Sequence, residues 1–184
     1  MKRKLLMLSV FAICVAVLAA GSLAYFTSED TAHNVITTGG VSIAVQEWAD
    51  KERTTPFENV TGVMPGTAVT KIAEVVNTGG AAAWVRVMVT QNISITGDVT
   101  PDTALVELEL NTADWTQGED GYLYYNKALE PGEVTAPIFT SVKFNAAMGN
   151  EYQKAEATVE VTAQAVQVAN NGASAAEAAG WPKA

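Results

Sequence analysis

Ala83-Trp84-Val85-Arg86-Val87-Met88-Val89 sets a valine at every second position, with Arg86 and Met88 between them. A period of two sends successive side chains to opposite faces of an extended chain, so this stretch reads as a half-buried strand. The same rhythm recurs on both sides of it. Val41, Ile43 and Val45 alternate with Ser42, Ala44 and Gln46, and Val106, Leu108 and Leu110 alternate with Glu107 and Glu109. Runs at 68–76, 122–125, 138–144 and 157–168 carry the same β-branched and aromatic bias. Between the runs stand Gly39-Gly40, Pro65-Gly66, Asn77-Thr78-Gly79-Gly80, Thr96-Gly97-Asp98, Glu119-Asp120-Gly121 and Pro131-Gly132. These pairs supply the preset or left-handed φ that a reversing chain needs. Frequent short strands without a long amphipathic helix predict an all-β fold, an antiparallel sandwich or barrel, with a jelly-roll-like β-sandwich as the first choice.

Composition sets the outer limits. The chain has 184 residues, 48% apolar and 17% charged, which is enough for one folded domain and too apolar for a disordered chain. Eleven cations against 20 anions give a net charge of −9, which argues against a nucleic-acid partner because binding phosphates needs clustered Lys and Arg.

Three of the cations, Lys2, Arg3 and Lys4, precede an apolar run from Leu5 to Ala20 that ends at Gly21-Ser22. The run falls short of the ~20 residues a spanning helix needs and matches the basic, apolar and small-residue regions of a secretory signal peptide. Residues 1–24 are therefore expected to form a cleavable N-terminal signal helix, cut between Ala24 and Tyr25, with membrane contact only before cleavage. Cys14 leaves with it, and Ala12 and Ile13 before it do not suit a lipoprotein signal. Cleavage removes three cations and no anions, so the processed chain carries −12 and no cysteine. The expected location is outside the cell, at the surface or in the extracellular matrix.

The remaining chain divides into an extended N-terminal segment (25–37), a sandwich domain (38–169) and a tail (170–184) rich in Gly, Ala and Ser. Small residues bury little area, so the tail reads as a tether, with at most a marginal short helix at 173–179. Residues 46–60 read as a solvated polar excursion. In the last strand, Val159, Val161, Ala163 and Ala165 hold odd positions, and Val166 and Val168 then hold even ones. That slip predicts a β-bulge at Ala165-Val166, or the end of one strand and the start of another.

Residues able to do chemistry are sparse. His33 is the sole histidine, which leaves neither a zinc ligand set nor a Ser-His-Asp arrangement. Glu107 and Glu109 share a strand face and read as a solvated edge rather than an acid/base pair. Asp98, Asp102, Glu119 and Asp120 offer loop oxygens for calcium, but without the spacing of a known calcium loop. Trp48, Trp84, Trp115, Tyr122, Tyr124 and Tyr125 are candidates for a carbohydrate platform, although Trp84, within a strand, reads as core. No catalytic residue, metal ligand or cofactor is assigned.

Ala24-Tyr25-Phe26-Thr27-Ser28 and Thr31-Ala32-His33-Asn34-Val35-Ile36-Thr37-Thr38-Gly39 resemble the start of proteins with SipW-dependent signal peptides, the TasA and CalY (camelysin) group of Gram-positive bacteria. The likeness continues through Pro65-Gly66-Thr67, Asn77-Thr78-Gly79, Ala83-Trp84-Val85-Arg86-Val87 and Gly149-Asn150-Glu151-Tyr152, and so covers most of residues 15–168. It implies an exported jelly-roll subunit, trimmed by a dedicated signal peptidase, that polymerises head to tail into biofilm-matrix fibres. The N-terminal segment of one copy would complete the sheet of the next, with Phe26, Val35 and Ile36 as its apolar donor residues. It also implies two alternatives: an accessory protein that anchors a related matrix fibre protein, and a camelysin-type metallopeptidase, for which this chain has no recognisable ligand set.

Overall fold

Alternating valines and long turn-rich punctuation produce nine strands in the computed structural model, which describes residues 36–37, 40–95 and 100–182. They are β1 (Ile36–Thr37), β2 (Ile43–Trp48), β3 (Ala68–Asn77), β4 (Ala83–Ser94), β5 (Val106–Leu108), β6 (Trp115–Gln117), β7 (Leu123–Tyr125), β8 (Phe139–Phe144) and β9 (Glu156–Gln167). Helical structure among the described residues is limited to one-turn 3₁₀ segments at Thr103–Leu105, Asn150–Tyr152 and Ala175–Glu177. The expected signal helix lies outside the described residues.

One sheet has the order β1-β9-β4-β7-β6 and the other β2-β3-β8-β5. Every pairing is antiparallel except β1 with β9, which is parallel. The inner faces of both sheets feed one core, including Ile43, Val75, Val85, Val87, Trp115, Tyr125, Phe139, Val142, Val161 and Ala163. The valines of the opening stretch supply its centre: Val85 and Val87 are fully buried. Trp115 and Tyr125 pack with ring centroids 5.0 Å apart, and the Trp115 indole N–H donates to the Ala136 carbonyl at 3.1 Å.

The longest ladder joins β4 and β9 through twelve unbroken pairs, from Ala83 opposite Gln167 to Ser94 opposite Glu156. No bulge interrupts β9 at Ala165-Val166, contrary to the sequence expectation; the register shift falls in β3, between Thr70 and Ala73. The apolar slip in β9 has another cause. Val161, Ala163 and Ala165 join the inner core, whereas Val166 faces outward into a second cluster with Trp84, Ala175 and Ala178.

That second cluster also corrects the reading of 170–184 as a tether. Residues 170–182 pack on the outer face of the β1-β9-β4-β7-β6 sheet. The Trp84 indole N–H donates to the Asn171 carbonyl at 2.9 Å, and Ala175 and Ala178 are buried. The Asn171 side chain pairs with the Ala179 backbone, donating to its carbonyl at 3.0 Å and accepting from its N–H at 2.8 Å, which closes the strap into a loop. Gly172, at φ 53°, lies where a Cβ would come within 3.0 Å of the Ala178 backbone. Composition alone missed the strap because its small alanines are buried by outward-facing Trp84 and Val166, and polar bonds from Asn171 and Arg86 hold it in place.

Both sheets share one pole. The Ser42 carbonyl, before β2, accepts from Thr78 and Gly79 N–H at 2.8 and 3.0 Å, just past the end of β3. Ala83, at the start of β4, exchanges two backbone bonds with Leu129, and Val168, just past β9, donates to Ala82 at 3.0 Å. Fully buried Asn77 ties this pole together, donating to the Ala81 and Leu129 carbonyls and accepting from Gly79. β2, β4 and β8 end at the other pole, where β3 and β9 begin.

Candidate functional site

Backbone pairing finishes at four sheet edges, and their residues make them unequal. β5 and β6 are edges of three residues each. β5 also carries charge: Glu107 accepts from Asn145 at 2.6 Å, and Lys143 pairs with Glu109 at 3.1 Å, both carboxylates being exposed. The sequence reading of Glu107 and Glu109 as a solvated edge agrees with this placement.

β2 is a longer edge with a cover. The turn after it folds back, so that Phe57 N–H donates to the Glu47 carbonyl at 2.9 Å and Pro56 bridges to Trp48. Asp50 organises this turn by accepting from Thr54 and Thr55 N–H at 3.0 and 2.6 Å. Hydrogen bonds from the Thr54 backbone above all, then from Thr55 and the Thr54 hydroxyl, lower the Asp50 carboxyl to about 2. Arg53, at φ 56°, delivers its Nε–H to both oxygens of nearly buried Glu74, which also accepts from the Trp48 indole at 2.9 Å. On β2 itself Glu47 pairs with Lys71 at 2.8 Å, with only 13% and 9% of their side chains exposed. Lys71 sits 4.4 Å from the Phe57 ring centroid. Residues 46–60 are thus strand at their start and a solvated excursion thereafter, exposed at 51–56 and 58–60 and anchored through Asp50, Arg53 and Phe57.

β9 has neither protection. Its twelve residues pair with β4 along one side, but on the other side only Gln164 and Ala165 have partners among the described residues, namely Ile36 and Thr37 of β1. Eight residues, Glu156–Ala163, have no strand partner on that side among the described residues. Ala157 and Val159 point toward the core and are half-buried, while Glu156, Thr158 and Glu160 are exposed. β2 of the opposite sheet comes within 8 Å of β9.

Beside the paired end of β9 lies a clasp that sequence reasoning did not find. Arg86 is 8% exposed on the outer face, opposite Gln164, and its Nε–H donates to Gln164 Oε1 at 2.9 Å. Its guanidinium carbon lies 3.8 Å from the Tyr122 ring centroid and 4.7 Å from that of Trp181. It also donates to Tyr124 OH, to Asp120 Oδ2 and to the Pro182 carbonyl. The Tyr124 hydroxyl donates to Asp120 at 2.7 Å and is the chief cause that holds the Asp120 carboxyl below the usual carboxylate range. Burial, then the neighbouring Asp120, pushes the Tyr124 phenol up. The signal available in the sequence was an arginine centred in a valine-rich strand, which needs partners wherever it is enclosed.

The other sequence candidates do not converge. Ile36 lies in β1 on this chain's own β9, whereas Ala24, Tyr25, Phe26 and Val35, with His33, Cys14 and Asp98, lie outside the described residues. Asp102 caps a 3₁₀ turn by accepting from Ala104 N–H at 3.0 Å, and Asp120 is engaged in the clasp. Trp84, Trp115, Tyr122 and Tyr125 are buried, so they form no exposed platform. Among the described residues no group of three or more His, Cys, Asp or Glu could hold a metal ion. What the described residues offer is a long strand edge, partnered on its outer side at two positions. Comparison with known proteins gives it no second source: no protein-family model matches the chain, and no curated protein matches it either.

Proposed function

We propose that this chain is a secreted structural subunit of extracellular fibres, as its resemblance to the TasA and camelysin group implies. Its jelly-roll-like sandwich is exported behind residues 1–24, cut between Ala24 and Tyr25, and assembled head to tail when the freed segment 25–37 of one copy fills the sheet of the next. The observation that carries this reading is the β9 edge: twelve residues long, flanked by short, charged or covered edges, and paired at only two positions among the described residues. Those two positions are taken by Ile36 and Thr37, the end of the segment the sequence assigns as donor. In a single chain they sit on their own β9, so assembly exchanges a contact the monomer already makes in part.

Physical magnitudes support a conditional assembly. Each added main-chain hydrogen bond contributes about 0.5–1.5 kcal/mol net, and each fully enclosed Phe26, Val35 or Ile36 side chain about 1.5–3 kcal/mol. Ordering the strand costs about 1–2 kcal/mol per residue, a comparable total over eight residues. Like-charge repulsion at −12 then matters, so added salt is expected to raise fibre yield by screening it.

Deleting residues 25–36 from the processed protein tests the reading. The expected result is a folded species by circular dichroism that forms no fibres under negative stain; fibres from the truncated chain would remove the donor assignment.

A further inference from the structure

The exit of the N-terminal segment and the paired end of β9 lie at the same pole. Thr37 pairs with Ala165, two residues before the end of β9, and β2 starts at Ile43, whose preceding Ser42 is bonded to the end of β3 at that pole. Residues 38–42 span at most about 18 Å at ~3.6 Å per residue. The twelve residues of β9 extend about 40 Å at ~3.3 Å each, well beyond the ~22 Å that the six steps from Thr37 to Ile43 can cover. Within one chain, therefore, the segment can join β9 only near its C-terminal end, and the observed parallel direction follows.

The same reach constrains an assembled copy. If the donated segment kept the parallel direction, its C-terminal end would lie at the shared pole of the acceptor, and 38–42 would hold the donor's own shared pole beside it. Every contact would then be pole to pole, which favours closed, two-fold pairs. A head-to-tail fibre instead sets the donor's shared pole against the acceptor's opposite pole, where β9 begins at Glu156. The segment then enters at Glu156 and runs with its N-terminal end toward Gln164.

Resting on the donor reading above, we infer that the segment donated in the fibre runs antiparallel to β9 of its acceptor, the reverse of the parallel direction that β1 takes on its own chain. The edge accepts either direction, because its N–H and C=O groups alternate in both, and antiparallel pairing is slightly the more stable per residue. Release of β1 and reversal against a neighbour thus form one step. In the single chain Ile36 and Thr37, the described end of the donor, run in the direction that cannot propagate a fibre.

Two double-cysteine variants of the processed chain, which has no cysteine of its own, separate the directions. In fibres treated with a short bismaleimide, Ser28→Cys with Gln167→Cys, an exposed position at the end of β9, is expected to give a ladder of covalent multimers on denaturing gels. It should exceed by at least tenfold the interchain product of Ser28→Cys with Glu156→Cys. A ladder from the Glu156 pair instead would overturn the inference while leaving the donor reading intact. Fibres that link between chains at neither pair would overturn the donor reading itself. A second pair uses exposed positions at opposite poles, Met64 (68% exposed) and Val134 (42% exposed). Met64→Cys with Val134→Cys is expected to ladder by joining unlike poles, and Val134→Cys alone to stay monomeric; efficient dimers of Val134→Cys alone would show pole-to-pole contact and contradict the inference.

Discussion

β2 and β9 are both long strands at the sides of the molecule, and they meet the hazard of an unpaired edge in opposite ways. β2 turns a carboxylate inward, covers its backbone with the Asp50–Phe57 turn and spends a proline on the bridge at Trp48. Inward charges, prolines and covering loops are the devices that stop edge strands from recruiting other chains. Among the described residues β9 has none of them along Glu156–Ala163, although its inner-face residues Ala157 and Val159 would reward a partner with buried area. A twelve-residue edge with two partners on that side among the described residues, in a molecule whose other edges are short, charged or covered, is a place for a partner strand.

Breaking the guard on β2 should have the largest effect. Lys71→Met leaves Glu47 enclosed without its cation, and Glu47 Oε1 already has no hydrogen-bond partner among the described residues. A loss of about 3–5 kcal/mol is expected in urea denaturation, the cost of leaving one member of a buried pair alone. Arg86→Gln comes next, at about 2 kcal/mol, since it removes the charge that holds the strap and leaves the Pro182 carbonyl and Gln164 without their donor. Its expected signature is altered Trp181 fluorescence, with the β2 cover unchanged in hydrogen exchange.

Converting β9 into a guarded edge sharpens the contrast. Val159→Glu gives β9 the inward-pointing carboxylate that β2 has and should lower fibre yield at least tenfold, with the monomer still folded by circular dichroism. The smallest effect is expected from acid. The Asp50 carboxyl is depressed to about 2 in the folded chain, so its contribution is complete above its ordinary value near 3.8 and is lost as pH falls through 2. Hydrogen exchange at Thr54 and Thr55 should accelerate across that window and not between pH 5 and 8.

Period-two valines made the strands legible. The runs at 41–46, 68–76, 85–89, 106–110, 122–125, 138–144 and 157–168 correspond to β2, β3, β4, β5, β7, β8 and β9, with ends displaced by a few residues. β6 escaped because Trp115-Thr116-Gln117 is too short to show a period. The even-numbered Val166 looked like a register error because alternation assumes one covered face, whereas the strap gives the end of β9 two. Of the four unequal edges only β5 was legible, through Glu107 and Glu109. Whether Glu47 guards an edge depends on which strand lies beside β2, and that follows from pairings between residues far apart in the chain.

Amide hydrogen exchange along β9, compared between soluble chain and fibre, tests the central claim most directly. The account predicts that the N–H groups of Glu156–Ala163 that point away from β4 exchange quickly in the soluble chain and become protected at least a hundredfold in the fibre, with β2 unchanged. Equal exchange at those positions in both states would show that fibres, if they form, are joined elsewhere.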